Sequence, residues 1–232
     1  MVESASSGRF IVLEGVEGAG KTTQAELLSE WLEAEGVSHI LAREPGGTEV
    51  GEAIRNVVQD RPELDVPPET ELLLYVASRA AFVRHVVRPA LDRGELVVAD
   101  RFSWSTFAYQ GYGRGLDLDS VRTVNAFGTG GLEPDVYLVF DLDVGTGRAR
   151  QASSGQLDDR IEQAGGEFLE RVCLGYREMA GAEPRAHLID AEGSPEEVFG
   201  RVKDVLVSVL PETFAGARVS TREDTSPGGE VI

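Results

Sequence analysis

The apolar positions of this chain fall into two alternating rhythms. Short, nearly continuous apolar runs occur at Phe10–Glu14, His39–Arg43, Leu96–Asp100, Val136–Asp141 and His187–Asp190. Runs of this kind predict strands buried on both faces of a parallel sheet. Between them the period lengthens to that of helices. Lys21–Glu35 ends at Gly36, a glycine suited to the left-handed turn after a helix. Pro68–Asp92 carries Leu72, Tyr75, Val76, Arg79, Phe82, Val83, Val86 and Val87 at spacings of three and four, and stops before Gly94. Ser194-Pro195-Glu196-Glu197 opens the last helix with a capping Ser, a Pro at the first position and a reciprocal Glu. Strands alternating with helices predict an α/β fold, a doubly wound sheet of five parallel strands flanked by helices. The polar, small-residue stretch Gln151–Gly155 predicts a mobile loop. The Gly-, Pro-, Ser- and Thr-rich segment 211–232 predicts a tail largely disordered after its first residues, and 1–8 a flexible N-terminus, around a domain spanning 9–210.

Charge narrows the partners. The chain has 232 residues, with 40 acidic against 22 basic side chains, for a net charge of −18. Such a surface repels phosphate backbones and anionic lipid, so neither nucleic acid nor a membrane is an expected partner. No apolar run approaches the ~20 residues that span a bilayer. The N-terminus lacks the basic-then-apolar pattern of a signal peptide. The lone cysteine, Cys173, has no internal partner for a disulfide, and a cytoplasmic location is the expectation. A nucleotide would also be repelled, so any nucleotide site must be a local basic pocket.

One segment supplies such a pocket. Gly15-Val16-Glu17-Gly18-Ala19-Gly20-Lys21-Thr22 matches the G-x-x-x-x-G-K-[ST] phosphate-binding loop, between a predicted strand and a predicted helix. Its glycines let backbone N–H groups turn toward phosphate oxygens, and the helix N-terminus adds a favourable dipole. Lys21 is expected on the β- and γ-phosphates of ATP, with Thr23 beside the loop. The Thr22 hydroxyl and Asp100, at the end of another strand, are expected to hold Mg²⁺. No Asn-Lys-x-Asp tetrapeptide occurs, so a guanine-reading GTPase is excluded.

Further arginines point to a second, anionic substrate. Arg43 and Arg101 end predicted strands, where open α/β sheets bind ligands. Tyr75 and Arg79 lie four apart on one helix face, so a ring and a guanidinium can meet a planar base together. Arg148, Arg150 and Arg160 flank Gln151–Asp159, as cations on a lid that closes over transferring phosphates would.

Taken in order, GVEGAGKTTQ (15–24), AREPGGT (42–48), LLYVASR (73–79), ADRFSWSTFAYQG (99–111), EPDVYLVFDLD (133–143), LDDRIE (157–162) and IDAEGSPEEV (189–198) resemble the thymidylate kinase family over most of residues 8–210. The resemblance implies transfer of the ATP γ-phosphate to dTMP, a Mg²⁺ requirement and a homodimer. It implies Arg43 on the acceptor phosphate, Tyr75 stacked on thymine and Arg79 on a thymine carbonyl. It further implies Arg101 between the two phosphates, Ser105 and Thr106 along base and sugar, and Tyr109 against the sugar 2′ carbon. Glu17 would face the sugar 3′ hydroxyl. Some members carry an arginine where this chain has Gly18. The catalytic cation is then expected from a lid of about 148–162, from Arg148, Arg150 or Arg160, of which Arg160 best fits the motif. Two alternatives remain: another nucleoside monophosphate kinase, and a non-catalytic nucleotide-binding module.

Overall fold

The computed structural model describes residues 8–154 and 165–214. Five parallel strands form one sheet: β1 (Arg9–Gly15), β2 (His39–Arg43), β3 (Leu96–Asp100), β4 (Val136–Asp141) and β5 (Ala186–Asp190), in the order β2-β3-β1-β4-β5. Each lies within one residue of its expected bounds. The three central strands are the buried ones, with Ile11, Val12, Leu13, Val97, Val98 and Leu138 wholly out of water. Burying each such side chain is worth roughly 1.5–3 kcal/mol. The expectation of burial on both faces fails for the edges. Leu41 on β2 is 42% exposed and Leu188 on β5 is 49% exposed, because each edge strand lacks a neighbour and full helical cover on one side.

Helices α1 (Lys21–Ala34), α2 (Glu49–Gln59), α3 (Pro68–Phe82), α4 (Arg88–Asp92), α5 (Ser103–Thr106), α6 (Leu118–Thr129), α7 (Val144–Ser154), α8 (Gly166–Ala182) and α9 (Pro195–Val209) flank the sheet. Local chemistry sets several ends. Gly36 follows α1 at φ 71°, and Val37 N–H returns to the Leu32 carbonyl at 2.9 Å. The expected capping box of α9 is present, with Ser194 Oγ accepting from Glu197 N–H and Ser194 N–H donating to Glu197 Oε2.

Three departures from the sequence reading matter. The expected helix 68–92 is continuous, but a π-helical turn at Val83–Val87 joins α3 to α4. Gln151–Ser154 is not a loop: it is the last turn of α7, and the Gln151 side chain is buried, which favours helix over its loop-like composition. The folded domain does not stop at 210. Phe214 is 3% exposed and stacks on Trp31 at 4.6 Å, which draws residues 211–214 onto the core. Gly8 also belongs to the fold, its N–H donating to the Leu91 carbonyl. The expectations for 1–7 and 215–232 lie outside the described residues.

The register aligns the strand ends. Leu13 pairs with Asp100, and Asp100 with Arg43, so β1, β3 and β2 release their chains side by side at one rim of the sheet. Sequential strands diverge on the two sides of β1 there, which opens a crevice.

Candidate active site

The loop after β1 is shaped by glycines. Gly18 and Gly20 sit at φ 73° and 86°, in the left-handed region that side chains rarely adopt. Gly20 is the N-cap of α1, so the loop's N–H groups and the helix N-terminus converge. Lys21 is buried and donates to the Val16 carbonyl at 2.7 Å, curling its ammonium back over the loop. Burial and the nearby Arg101 hold its pKa below the usual lysine value, against the pull of Glu17 and Asp100. Thr22 Oγ donates to Asp100 Oδ2 at 2.8 Å, so residues 78 positions apart meet as expected. The other oxygen, Asp100 Oδ1, is buried without a hydrogen-bond partner. Two adjacent hard oxygen ligands, one of them uncompensated, fit a small divalent cation such as Mg²⁺.

Beside the loop lies a pocket between Glu17, the turn after β2, the end of α2, α3 and the segment after β3. Glu17, Tyr75, Arg79, Arg101, Ser105, Thr106 and Tyr109 all line it, so the sequence reading brought together residues the fold does bring together. Glu44, Gln59 and Gln110 join them. Arg79 is 2% exposed. Its Nε donates to Glu44 Oε2 at 2.8 Å, its Nη1 to Thr106 Oγ and Asn125 Oδ1, and its Nη2 to the Phe102 carbonyl. Those bonds fix the plane of the guanidinium at the pocket wall.

Arg101 is the structural hinge of the site. It is the one described non-glycine residue at positive φ, 74°, and its N–H is pinned to the Leu13 carbonyl at 2.9 Å. Such strain costs about 1–3 kcal/mol and persists where the surroundings over-determine it. The turn aims the side chain between the two halves of the site. Nη1 donates to the Gly15 carbonyl at 3.0 Å and Ser105 Oγ at 3.2 Å, and Nη2 to Glu17 Oε2 at 2.6 Å. Its guanidinium also lies 5.4 Å from the Tyr109 ring centroid. The ammonium of Lys21, with Arg101 beside it, holds the Glu17 carboxyl down to about 2, despite its burial. Beneath them Glu14 accepts from Phe102 N–H, Ser105 N–H, Ser105 Oγ and Tyr176 OH, anchoring the wall.

The wall after β3 winds as α5 and then a π-helical stretch, Phe107–Gly113. The wider turn puts Ser105, Thr106, Tyr109 and Gln110 on one side, at spacings of four and five. Gln110 was not singled out from sequence; this widened register is the signal that sequence period alone hides.

Arg43 stands at the rim and does not line the pocket. It is exposed and forked onto Glu52, with Nη1 on the Pro45 carbonyl. Arg55 on α2, unremarked in the sequence, reaches the same carbonyl at 3.1 Å. Burial and the neighbouring Arg43 lower its pKa, an electropositive corner in an acidic protein.

Of the three lid arginines, Arg148 is exposed on α7 and Arg150 donates to the Ala191 carbonyl at 3.1 Å. Arg160 lies outside the described residues. Arg150 closes a groove of about 190 Å³ along Ala19, Gly20, Thr23, Gln24 and Pro195, on the far side of the phosphate loop from the pocket. The site therefore offers two concave surfaces with the loop and Arg101 between them. Cys173 takes no part: it is buried in the core, and burial raises its thiol to about 11.

Comparison with known proteins agrees with this arrangement. The thymidylate kinase family model matches residues 13–202. Thymidylate kinase of Desulforudis audaxviator is 50% identical over 206 residues, covering 86% of this chain and 92% of that protein. Thymidylate kinase of Pseudomonas fluorescens is 45% identical over 213 residues, covering 91% and 99%. The crystal structure of thymidylate kinase from Ehrlichia chaffeensis superposes with a TM-score of 0.71 at 31% identity, covering 86% of this chain and 99% of that one. The chain belongs to the thymidylate kinase family.

Proposed function

We propose that this protein transfers the γ-phosphoryl group of ATP to dTMP, giving dTDP and ADP. The observation that carries the reading is the placement of Arg101. One guanidinium touches the phosphate loop at Gly15 and the acceptor wall at Ser105, where it can neutralise charge on both sides of a transferring group. ATP fits with its phosphates in the loop 15–22 and its base in the groove beside Arg150. dTMP fits in the pocket, with its ring against Tyr75 and Arg79, and its phosphate toward Arg101 and the Arg43–Arg55 corner.

In this geometry an oxygen of the dTMP phosphate attacks the γ-phosphorus in line, and the bond to the β,γ-bridging oxygen of ATP breaks. That attacking oxygen is anionic at neutral pH, so no general base is required. The protein contributes alignment and charge. Lys21 releases the Val16 carbonyl for phosphate oxygens, and a lid arginine, Arg148, Arg150 or Arg160, adds its charge as the lid closes. Thr22 and Asp100 would hold Mg²⁺, which supplies charge neutralisation across the ATP phosphates. Glu17, kept ionised, accepts a hydrogen bond from the deoxyribose 3′ hydroxyl, and Tyr109 crowds the 2′ carbon.

The assembly we favour is a homodimer. Phe127 on α6 is 90% exposed and Leu73 on α3 57% exposed, on two helices that pack together. Among the described residues no helix is long and apolar enough to cross a membrane. A cytoplasmic enzyme without nucleic acid or membrane partners is the accompanying proposal.

A panel of nucleoside monophosphates with Mg-ATP tests the reading. ADP release should be fast with dTMP, weaker with dUMP, since one methyl is worth only about 1–3 kcal/mol, and poor with UMP. Fastest release with AMP would assign a different monophosphate kinase, and no monophosphate-dependent release would leave a binding module. Lys21→Ala should lower turnover by about a hundredfold or more.

A further inference from the structure

A carboxylate sits where the helix pattern would place an apolar residue. Glu71, in the first turn of α3, has no exposed surface. Arg114 approaches it with Nε at 3.3 Å and Nη2 at 3.2 Å. Gln110 donates to it from Nε2 at 2.8 Å. Arg114 is itself held, its guanidinium 4.7 Å from the Phe168 ring centroid. A buried ion pair of this kind is seldom worth more to stability than an apolar substitute, so its chemistry invites another explanation.

The explanation lies in Gln110, which is 2% exposed and lines the acceptor pocket. A primary amide can turn over and exchange its donor and acceptor ends at little cost. A carboxylate paired with arginine only accepts. It therefore admits the NH₂ end of the amide and repels the carbonyl end. Held so, Gln110 keeps its carbonyl oxygen away from Glu71. Arg79, on the same pocket, presents only donors.

We infer that Glu71 is a positioning residue that locks the Gln110 amide with its carbonyl toward the acceptor base, so that the pocket pairs one donor with one acceptor and selects a pyrimidine bearing a ring N–H. Thymine and uracil match: the C4 carbonyl meets Arg79 and the N3–H meets Gln110. Cytosine mismatches twice, setting its amino group against Arg79 and its N3 lone pair against a carbonyl oxygen. Unpaired or opposed polar groups in a buried site discriminate more strongly than a missing methyl does. The inference rests on the reading of the pocket as a pyrimidine monophosphate site, and wild-type turnover of dTMP tests that reading separately.

The experiment compares kcat and KM for dTMP and dCMP in the wild type, Glu71→Gln, Gln110→Glu and the double variant E71Q/Q110E. In Glu71→Gln the amide of Gln110 is free to turn. The dTMP KM should rise about tenfold with the loss confined mainly to KM, and the dTMP:dCMP ratio of kcat/KM should fall by about tenfold or more. Gln110→Glu sets two carboxylates face to face and should lose about a hundredfold in kcat/KM for dTMP. The double variant exchanges amide and carboxylate, rebuilds the pair and keeps an acceptor toward the base. It should recover at least tenfold over Gln110→Glu. Additive losses in the double variant, or a lowered melting temperature in Glu71→Gln with an unchanged dTMP:dCMP ratio, would overturn the inference. Arg114→Leu covers the case in which Glu71→Gln does not fold. Without the two bonds from Arg114 the Glu71 carboxylate is no longer held in place against the Gln110 amide, so the amide is free to turn. The dTMP:dCMP ratio of kcat/KM should then fall relative to the wild type. An unchanged ratio in Arg114→Leu would equally sink the proposal.

Discussion

At the scale of single residues, the site holds charge in places that disfavour it. Glu44 shows the consequence. Its carboxylate faces Arg79 at 2.8 Å, with both side chains at most 3% exposed, and Oε1 has no partner. Burial pushes its pKa up to about 7, against the pull of Arg79 and with a smaller push from Glu14. The ordinary value is 4.5. Between those two values the folded protein holds a proton that the unfolded chain has released. Stability from this group is therefore full below the ordinary value and is lost as pH rises toward 7. Glu44→Gln removes the titration while keeping an acceptor for Arg79 Nε. The urea midpoint of the wild type should fall relative to that of the variant from pH 5 to pH 7, then run parallel to pH 8. Parallel midpoints across the whole range would show that Glu44 titrates normally.

At the scale of elements, the contact between the phosphate loop and α7 links the two substrate surfaces. A Cβ on Gly18 would stand 2.3 Å from the Gly147 carbonyl oxygen, and one on Gly147 would stand 2.9 Å from the Glu17 carbonyl oxygen. Loop and helix thus touch backbone to backbone, and that contact sets where Arg148 and Arg150 stand. It also explains why this chain carries glycine at 18, where an arginine side chain has no room. Gly147→Ala isolates the effect. In a helix that change alone is favourable by roughly 0.5–1 kcal/mol. Here the added methyl must displace α7 from the loop, so kcat should fall about tenfold without a gain in melting temperature. A more stable variant with unchanged kcat would show that the contact is incidental. The same elements show what the sequence made legible. The strands were readable because β-rich apolar runs are short and bounded, and the phosphate loop because its chemistry needs fixed spacings. The π-helical turns were not, since one wider turn leaves no mark on a pattern of threes and fours. α7 was misread because Gln151-Ala-Ser-Ser-Gly has the composition of a loop, and its helicity comes from tertiary contact. Arg55 escaped because a single arginine on an amphipathic helix looks like a solvated one until the fold brings it to Pro45.

At the scale of the whole molecule, several cations of the site are set apart from the acidic surface. The net charge is −18, yet Lys21 and Arg79 are buried and Arg101 is only 14% exposed. Setting them apart needs a closed core, and the C-terminal residues help to close it. Phe214 lies parallel to Trp31, 9° between planes, while Phe199 meets the same indole edge-on at 6.2 Å. Thr213 and Phe214 both donate N–H groups to the Leu210 carbonyl, which turns the chain back onto α1. Ending the chain after Leu210 would strip that ring from Trp31 and uncover Leu210. Loss of a buried phenyl ring costs about 3–5 kcal/mol. In a protein of this size that corresponds to a fall in melting temperature of roughly 6–20 °C. Ending it after Phe214 keeps the stack, so thermal unfolding should match that of the full chain. Both truncations leave the pocket and the phosphate loop intact, so kcat at a temperature where each is folded should be unchanged. Equal melting temperatures for the two truncated chains would place the boundary of the folded domain at Leu210 after all.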